Sequence, residues 1–294
     1  MSDPGVHPSK FNESMSICKF YIDIYNMLYH LKTRNEEELN SIYKMIKTEL
    51  IESKKYQPGN VIKDILNIIP YNSRCEKSYL SLAKRISDEY HATEVANVEE
   101  VSNYLFYKEY GIKLDKSADF EHFNTENVET HTRNTSYEAI MNNDCDNFVC
   151  IIQSDAFNKN QVYYGGLHII LYACTLLELC CYSGAVDCFK LLRTKFKSEI
   201  TQRCLRLSFL GGNQEIMSEC LKYHKPDNEC MKYAIISHNL DFITFLMNEY
   251  NMQIDFRQCA EYNNLESLLV NVDQTDDING CFIYSIRFNI PPLC

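Results

Sequence analysis

A single phrase recurs from Asn143 onward: a residue that can end a helix, two variable residues, an acid, then an apolar stretch. Its copies are Asn143-Asp144-Cys145-Asp146, Gly184-Ala185-Val186-Asp187, Gly212-Asn213-Gln214-Glu215, His238-Asn239-Leu240-Asp241 and Asn263-Asn264-Leu265-Glu266. They are separated by 41, 28, 26 and 25 residues. A period in the twenties to thirties marks stacked repeats, in which each unit buries its apolar face only against its neighbours. Such a chain is built to bind.

Each part of the phrase has a physical reading. Four residues before the turn stands a small side chain, Ala139, Cys180, Ser208, Ala234 or Cys259. That is one helical turn back, where a small group lets the next helix come close. Gly184 and Gly212 suit the left-handed backbone that closes a helix, and asparagine is the next best residue there. The acid then falls in the first turn of a second helix, where a carboxylate meets unpaired amides and the positive end of the helix dipole. Phe189-Leu191-Leu192, Ile216-Met217-Cys220-Leu221, Phe242-Ile243-Phe245-Leu246 and Leu265-Leu268-Leu269 supply an apolar face at helical spacing. Each unit is therefore expected to be a helix, a tight turn and a second helix.

The first half is also helical in pattern. Ile17, Phe20, Tyr21, Ile24, Leu28 and Leu31 predict an amphipathic helix over 14–32. Asn35 before three glutamates starts another, with Leu39, Ile42, Tyr43, Ile46 and Leu50 as its buried stripe. Asn60 is expected to cap a short helix that Pro70 ends, and further helices fall near 77–90 and 97–110, the last closed by Gly111. Residues 113–136 are polar and acidic without a period, and read as a linker. Ser154–Gly166 reads as a loop inserted between the first two repeat units.

Gly184-Ala-Val-Asp-Cys-Phe-Lys-Leu-Leu and Gly212-Asn-Gln-Glu-Ile-Met resemble the Gly-His-x-Glu-Val-Val-x-Leu-Leu stretch of ankyrin repeats. Leu176-Leu-Glu-Leu-Cys-Cys-Tyr-Ser-Gly184 resembles their Pro-Leu-His-x-Ala-Ala-x-x-Gly stretch, with Cys180 and Cys181 in the paired small positions. The chain further resembles a large protist family of ankyrin-repeat proteins in which a helical N-terminal region leads into degenerate ankyrin-like repeats, a domain of unknown function. The leader resemblance includes Tyr-Leu-Phe-Tyr-Lys-Glu-Tyr-Gly111. The resemblance implies an all-α fold: a helical N-terminal domain (1–112), the acidic linker (113–136) and an ankyrin-like helix-turn-helix solenoid (137–294). Two features depart from the family. The spacings fall short of the 33 residues of a standard ankyrin unit, and the helix-opening Thr-Pro-Leu-His is absent from every copy. The last unit, from Cys281, reads as a first helix stopped at Asn289-Ile-Pro-Pro-Leu-Cys294, a truncated copy with a bare apolar side.

Bulk properties exclude several classes. A net charge of -11 argues against a general nucleic-acid or anionic-membrane binder, whose affinity rests on basic side chains. The most apolar window, 167–181, has fifteen residues and includes His168 and Glu178, short of the roughly 20 that cross a bilayer. Fourteen cysteines stand mostly at apolar helical positions, among them Cys188, Cys204, Cys220, Cys230 and Cys259, as small hydrophobes, which implies reduced thiols and a cytoplasmic setting. No Cys-x-x-Cys, His-x-x-x-His or phosphate-binding glycine motif occurs, so no metal or cofactor is expected. The histidines are scattered singly, and none completes a cysteine-nucleophile signature.

One charge cluster stands out: Lys190, Arg193, Lys195, Lys197, Arg203 and Arg206, opposed locally only by Glu199. Such a run is usually a solvated helix face. Its other reading is a basic patch for an acidic peptide or phosphoprotein, with Lys195 and Lys197 as first contact candidates, joined by Arg193 and Arg203. The expectation is a non-enzymatic protein-protein interaction scaffold whose partners are other proteins. The rivals are a truncated copy without independent function and a cysteine-dependent enzyme.

Overall fold

All five turn residues of the repeated phrase adopt the left-handed conformation: Asn143, Gly184, Gly212, His238 and Asn263 have φ between 49° and 70°. The computed structural model describes residues 10–53, 56–121, 135–163, 170, 173–275, 280, 283–284 and 286–288. Among them the fold is all-α, and the strands are one two-residue pair. The core of the acidic stretch, 122–134, and the terminal Asn289–Cys294 lie outside the described residues.

The N-terminal half forms α1 (Lys10–Tyr29), α2 (Glu36–Met45), α3 (Pro58–Asn67), α4 (Glu76–Tyr90) and α5 (Glu100–Tyr110). Asn35 caps α2 by accepting from the amides of Glu37 and Glu38, and a π-helical turn, Ile46–Glu52, follows. Asn60 is not the cap expected of it. Gln57 holds that position and Asn60 lies inside α3, because Pro58 sets a helical φ at N1 where no amide hydrogen is needed. Two 3₁₀ turns, Ile69–Tyr71 with Pro70 inside it and Ser73–Cys75, lead from α3 to α4. Gly111 closes α5 at φ 70°. That helix begins at Glu100, later than the pattern suggests, since Asn97 turns left-handed at φ 61° and donates its amide to Asp115 (2.7 Å).

The repeats form five hairpins: α6 (Ser136–Met141) with α7 (Cys145–Ile152), α8 (Leu176–Ser183) with α9 (Val186–Phe196), α10 (Gln202–Gly211) with α11 (Gln214–Leu221), α12 (Asn228–Ile236) with α13 (Leu240–Tyr250), and α14 (Phe256–Glu261) with α15 (Leu265–Thr275). Between the first two lies a ribbon, β1 (Val162–Tyr163) antiparallel to β2 (Cys174–Thr175). The expected inserted loop is thus partly paired, and its last residues, 164–166, lie outside the described set. The small residues Ala139, Cys180, Ser208, Ala234 and Cys259 are all at most 1% exposed, as close helix approach requires. Asp146, Asp187, Glu215, Asp241 and Glu266 each sit in the first turn of a second helix.

The absent Thr-Pro-Leu-His is replaced by single caps. Thr135, Thr175, Thr201, Asp227 and Asp255 each accept a backbone amide at the start of a first helix. Thr175 and Glu178 form a reciprocal capping box. A cap of this kind satisfies an otherwise orphaned donor and contributes about 1 kcal/mol.

The chain divides into two compact units. One is Leu31–Tyr233, where α6, α8 and α10 pack side by side and α9 packs between α7 and α11. There Tyr182 of α8 accepts the amide of Ser73 (3.0 Å) and ties the hairpins to the 3₁₀ turns. The other joins residues up to His30 to those from Ala234 on. In it α1 packs against α15, and Phe288, 1% exposed, meets the ring of Tyr21 edge-on at 5.7 Å. Of the apolar residues expected to be bare, Phe288 is thus covered by α1, whereas Ile283 is 63% exposed. Of the first helix expected over 281–288, residues 283–284 are helical and Ile286–Phe288 form a 3₁₀ turn.

Candidate interaction surface

The basic cluster belongs to α9, the loop after it and α10. Sequence distance hid its counter-charges: Lys190 pairs with Glu215 (2.8 Å), Arg206 with Asp227 (2.7 Å) and Arg193 approaches Glu219 (3.9 Å). Hydrogen bonding to Glu215 raises the Lys190 ammonium above its ordinary pKa. Exposed pairs of this kind are screened by water and contribute little to stability, so they neutralise the face more than they stabilise it.

Arg193 acts as a staple. It donates to the carbonyl of Ser198 (2.6 Å), closing the end of α9, and to the hydroxyl of Tyr223 (2.6 Å) beyond α11. Arg203 donates to the carbonyls of Ala173 (3.1 Å) and Ile170 (2.8 Å), and so anchors the segment that leads into α8. Arg203 also approaches the Glu178 carboxylate (3.8 Å), so both guanidiniums are engaged within the fold.

Lys195 and Lys197 differ. Both are exposed, and neither has a carboxylate within ion-pair distance among the described residues. Lys195 lies 5.6 Å from the centroid of the Phe196 ring. Lys197 holds the left-handed C-cap of α9 at φ 52°, which projects the loop after the helix. Arg193, Lys195 and Lys197 thus share the end of α9, while Arg203 serves the start of α8.

A groove of about 330 Å³ runs between α9 and α11 beside them. Val186 and Phe189 give it apolar lining, and the Lys190–Glu215 and Arg193–Glu219 pairs connect its two helices. Sequence reading missed this groove. Its signal was present as an i, i+3 pair of cations on α9 and an i, i+4 pair of acids on α11, which place one charge row on each helix.

Most of the described cysteines are core residues, Cys150 being exposed and Cys145 half-buried. Cys180, Cys181, Cys188, Cys204, Cys220, Cys230 and Cys259 have no measurable exposure, and the described cysteines are free thiols. Burial pushes Cys188 and Cys230 up to about 12 and raises Cys180 well above its ordinary value. Cys204 goes the other way, drawn down by a hydrogen bond from Cys181 against the opposing effect of burial. Among the described residues, no cluster of three histidine, cysteine or acidic side chains could hold a metal ion. Within the same set no helix is long and apolar enough to cross a membrane.

Residues 196–271, from the last residue of α9 into α15, match the model of a family described as a domain of unknown function (DUF3447). No curated protein and no solved structure matches the chain.

Proposed function

We propose that this chain is a non-enzymatic protein-interaction scaffold of ankyrin-like repeats, acting in the reducing cytoplasm, with the end of α9 as its recognition edge for an acidic segment of a partner protein. The observation that carries the reading is the contrast within the basic cluster. Four of its cations are held by carboxylates or carbonyls of the fold, whereas Lys195 and Lys197 are exposed at the end of α9, whose residues Val186–Thr194 line one side of a partly apolar groove. Charges left free at a rim steer encounter and select partners without being needed for folding. The repeated hairpins with left-handed turns support the ankyrin-like part of the reading, and the free buried thiols support the compartment.

The test is affinity purification from the native cytoplasm of the wild type beside a Lys195→Glu, Lys197→Glu double variant. The variant should melt within about 0.5 kcal/mol of wild type, because neither side chain supports the fold. A protein captured by the wild type and lost with the variant supports the scaffold and its surface. Equal capture by both forms would move the recognition surface elsewhere.

A further inference from the structure

The seam between α1 and α15 contains a hydrogen-bond line that is one proton short. His238, 5% exposed, lies flat on the ring of Tyr29 with centroids 4.0 Å apart. Its Nε2 is 2.8 Å from the carbonyl oxygen of Tyr262, and its Nδ1 is 2.8 Å from the side-chain amide of Asn26. The other end of that amide is 3.2 Å from the carboxylate of Glu266. Four groups in a row thus make three contacts, and each contact needs one hydrogen.

The supply can be counted. Along this line the amide of Asn26 donates towards one neighbour only, its oxygen facing the other. A neutral imidazole carries one N–H, and an ionised carboxylate carries none. Two hydrogens must serve three contacts, whichever way the amide is turned. With the amide nitrogen towards Glu266, the amide oxygen faces a bare Nδ1. Turned around, the nitrogen serves Nδ1 and the oxygen faces the carboxylate. Two acceptors meet in either case, and in a half-buried site water replaces the missing donor poorly.

We propose that this line is a proton-responsive latch between α1 and the C-terminal hairpins: one added proton, taken by the Glu266 carboxylate, lets Asn26 accept from Glu266 and turn its amide nitrogen to Nδ1, which completes the three hydrogen bonds around a neutral imidazole and tightens the packing of α1. The groups facing His238 are few. From α1 come Asn26, Tyr29 and His30, whose Nε2 meets the Ser237 carbonyl at 2.9 Å; from the end of α14 comes the Tyr262 carbonyl; from α15 comes Glu266 through Asn26. Burial holds the imidazole neutral, with a pKa lowered to about 3. The neutral ring donates from Nε2 to Tyr262 and Asn26 donates to Glu266, so the contact left open is the one between the Asn26 oxygen and the bare Nδ1, which joins α1 to the turn before α13.

Glu266→Gln supplies the missing hydrogen without a proton, since its amide can donate to Asn26, which then donates to His238. Hydrogen exchange of the full chain at pH 7.5 should show the amides of α1 protected about five-fold more in this variant than in wild type. Glu266→Ala should give a smaller gain, and the gap between Gln and wild type should narrow as the pH is lowered. Equal protection in wild type and Gln, equal gains for Gln and Ala, or a gap independent of pH would each overturn the proposal. Nitrogen-15 shifts of the His238 ring give a readout that does not depend on the variants. The neutral Nε2–H form at pH 7.5 is expected, and an imidazolium there would mean that the line already holds its third proton.

Discussion

Two turns with the same backbone solve the problem of meeting a neighbouring hairpin in opposite ways. At Gly184 and Gly211 the solution is to have no side chain: a Cβ on Gly211 would lie 2.1 Å from the carbonyl oxygen of Cys181, and one on Gly184 would lie 2.7 Å from that of Gly211. At His238 and Asn264 side chains fill the gap. His238 reaches the Tyr262 carbonyl at 2.8 Å, and Asn264 donates to the Ile235 carbonyl at 2.7 Å. The first seam fixes its spacing by steric contact and is indifferent to protonation. The second fixes it by hydrogen bonds and needs a neutral imidazole. Degenerate repeats can therefore keep one turn geometry while changing what holds successive turns together.

The requirement common to both seams is a small residue one helical turn earlier, and Ser208 and Ala234 are both fully buried there. Ala234→Asp should have the largest effect, because a carboxylate would be buried against a helix without a partner. A loss of about 4 kcal/mol or more is expected, read as a collapse of the melting temperature, while Ala234→Ser stays close to wild type. A stable Asp variant would show that the register assigned to α12 is wrong. Gly211→Ala attacks only the glycine seam. The atoms it meets are backbone and cannot rotate away, so about 3 kcal/mol is expected in chemical denaturation. Gly212→Ala is the control. Its added methyl meets nothing within 4 Å, and only the positive φ of 70° opposes it, at about 1 kcal/mol. Equal costs at 211 and 212 would remove the steric half of the comparison.

These neighbouring glycines also show what was readable beforehand. The role of Gly212 is local: a helix end needs a left-handed residue, and the repeat of turn, acid and small residue made its place plain. The role of Gly211 depends on the backbone of residues 181–184, which no local pattern reports. The basic cluster follows the same division. Its cations were visible as a run, but the carboxylates that quench Lys190 and Arg206 come from 25 and 21 residues away. The caps Thr135, Thr175, Thr201, Asp227 and Asp255 were missed for a different reason. They stand between 8 and 11 residues before the turn, because the first helices differ in length, and a search at fixed spacing passes over them. The covering of the last hairpin by α1 was the least accessible. It joins Tyr21 and Asn26 to Asn263 and Glu266 across some 240 residues, and both partners look like ordinary members of their own helices.

An effect smaller than that of Ala234→Asp or Gly211→Ala separates the two seams by pH alone. His238 has a folded pKa of about 3 against an ordinary value of 6.5, with burial as the main cause. The unfolded chain therefore binds a proton at His238 that the folded chain refuses. Stability contributed by the neutral ring is complete above about pH 6.5 and is lost as the pH falls towards 3, at roughly 1.4 kcal/mol per unit. Between pH 7.5 and 5.0 this amounts to about 2 kcal/mol. In His238→Asn, whose amide can hold the left-handed turn without titrating, that part of the acid loss should vanish, although the variant starts from a lower stability at pH 7.5. Gly211→Ala should keep the wild-type slope, since its damage is steric. Parallel pH profiles for His238→Asn and wild type would mean that the histidine seam is already open to solvent, and that the two turns differ in sequence but not in how they respond to a proton.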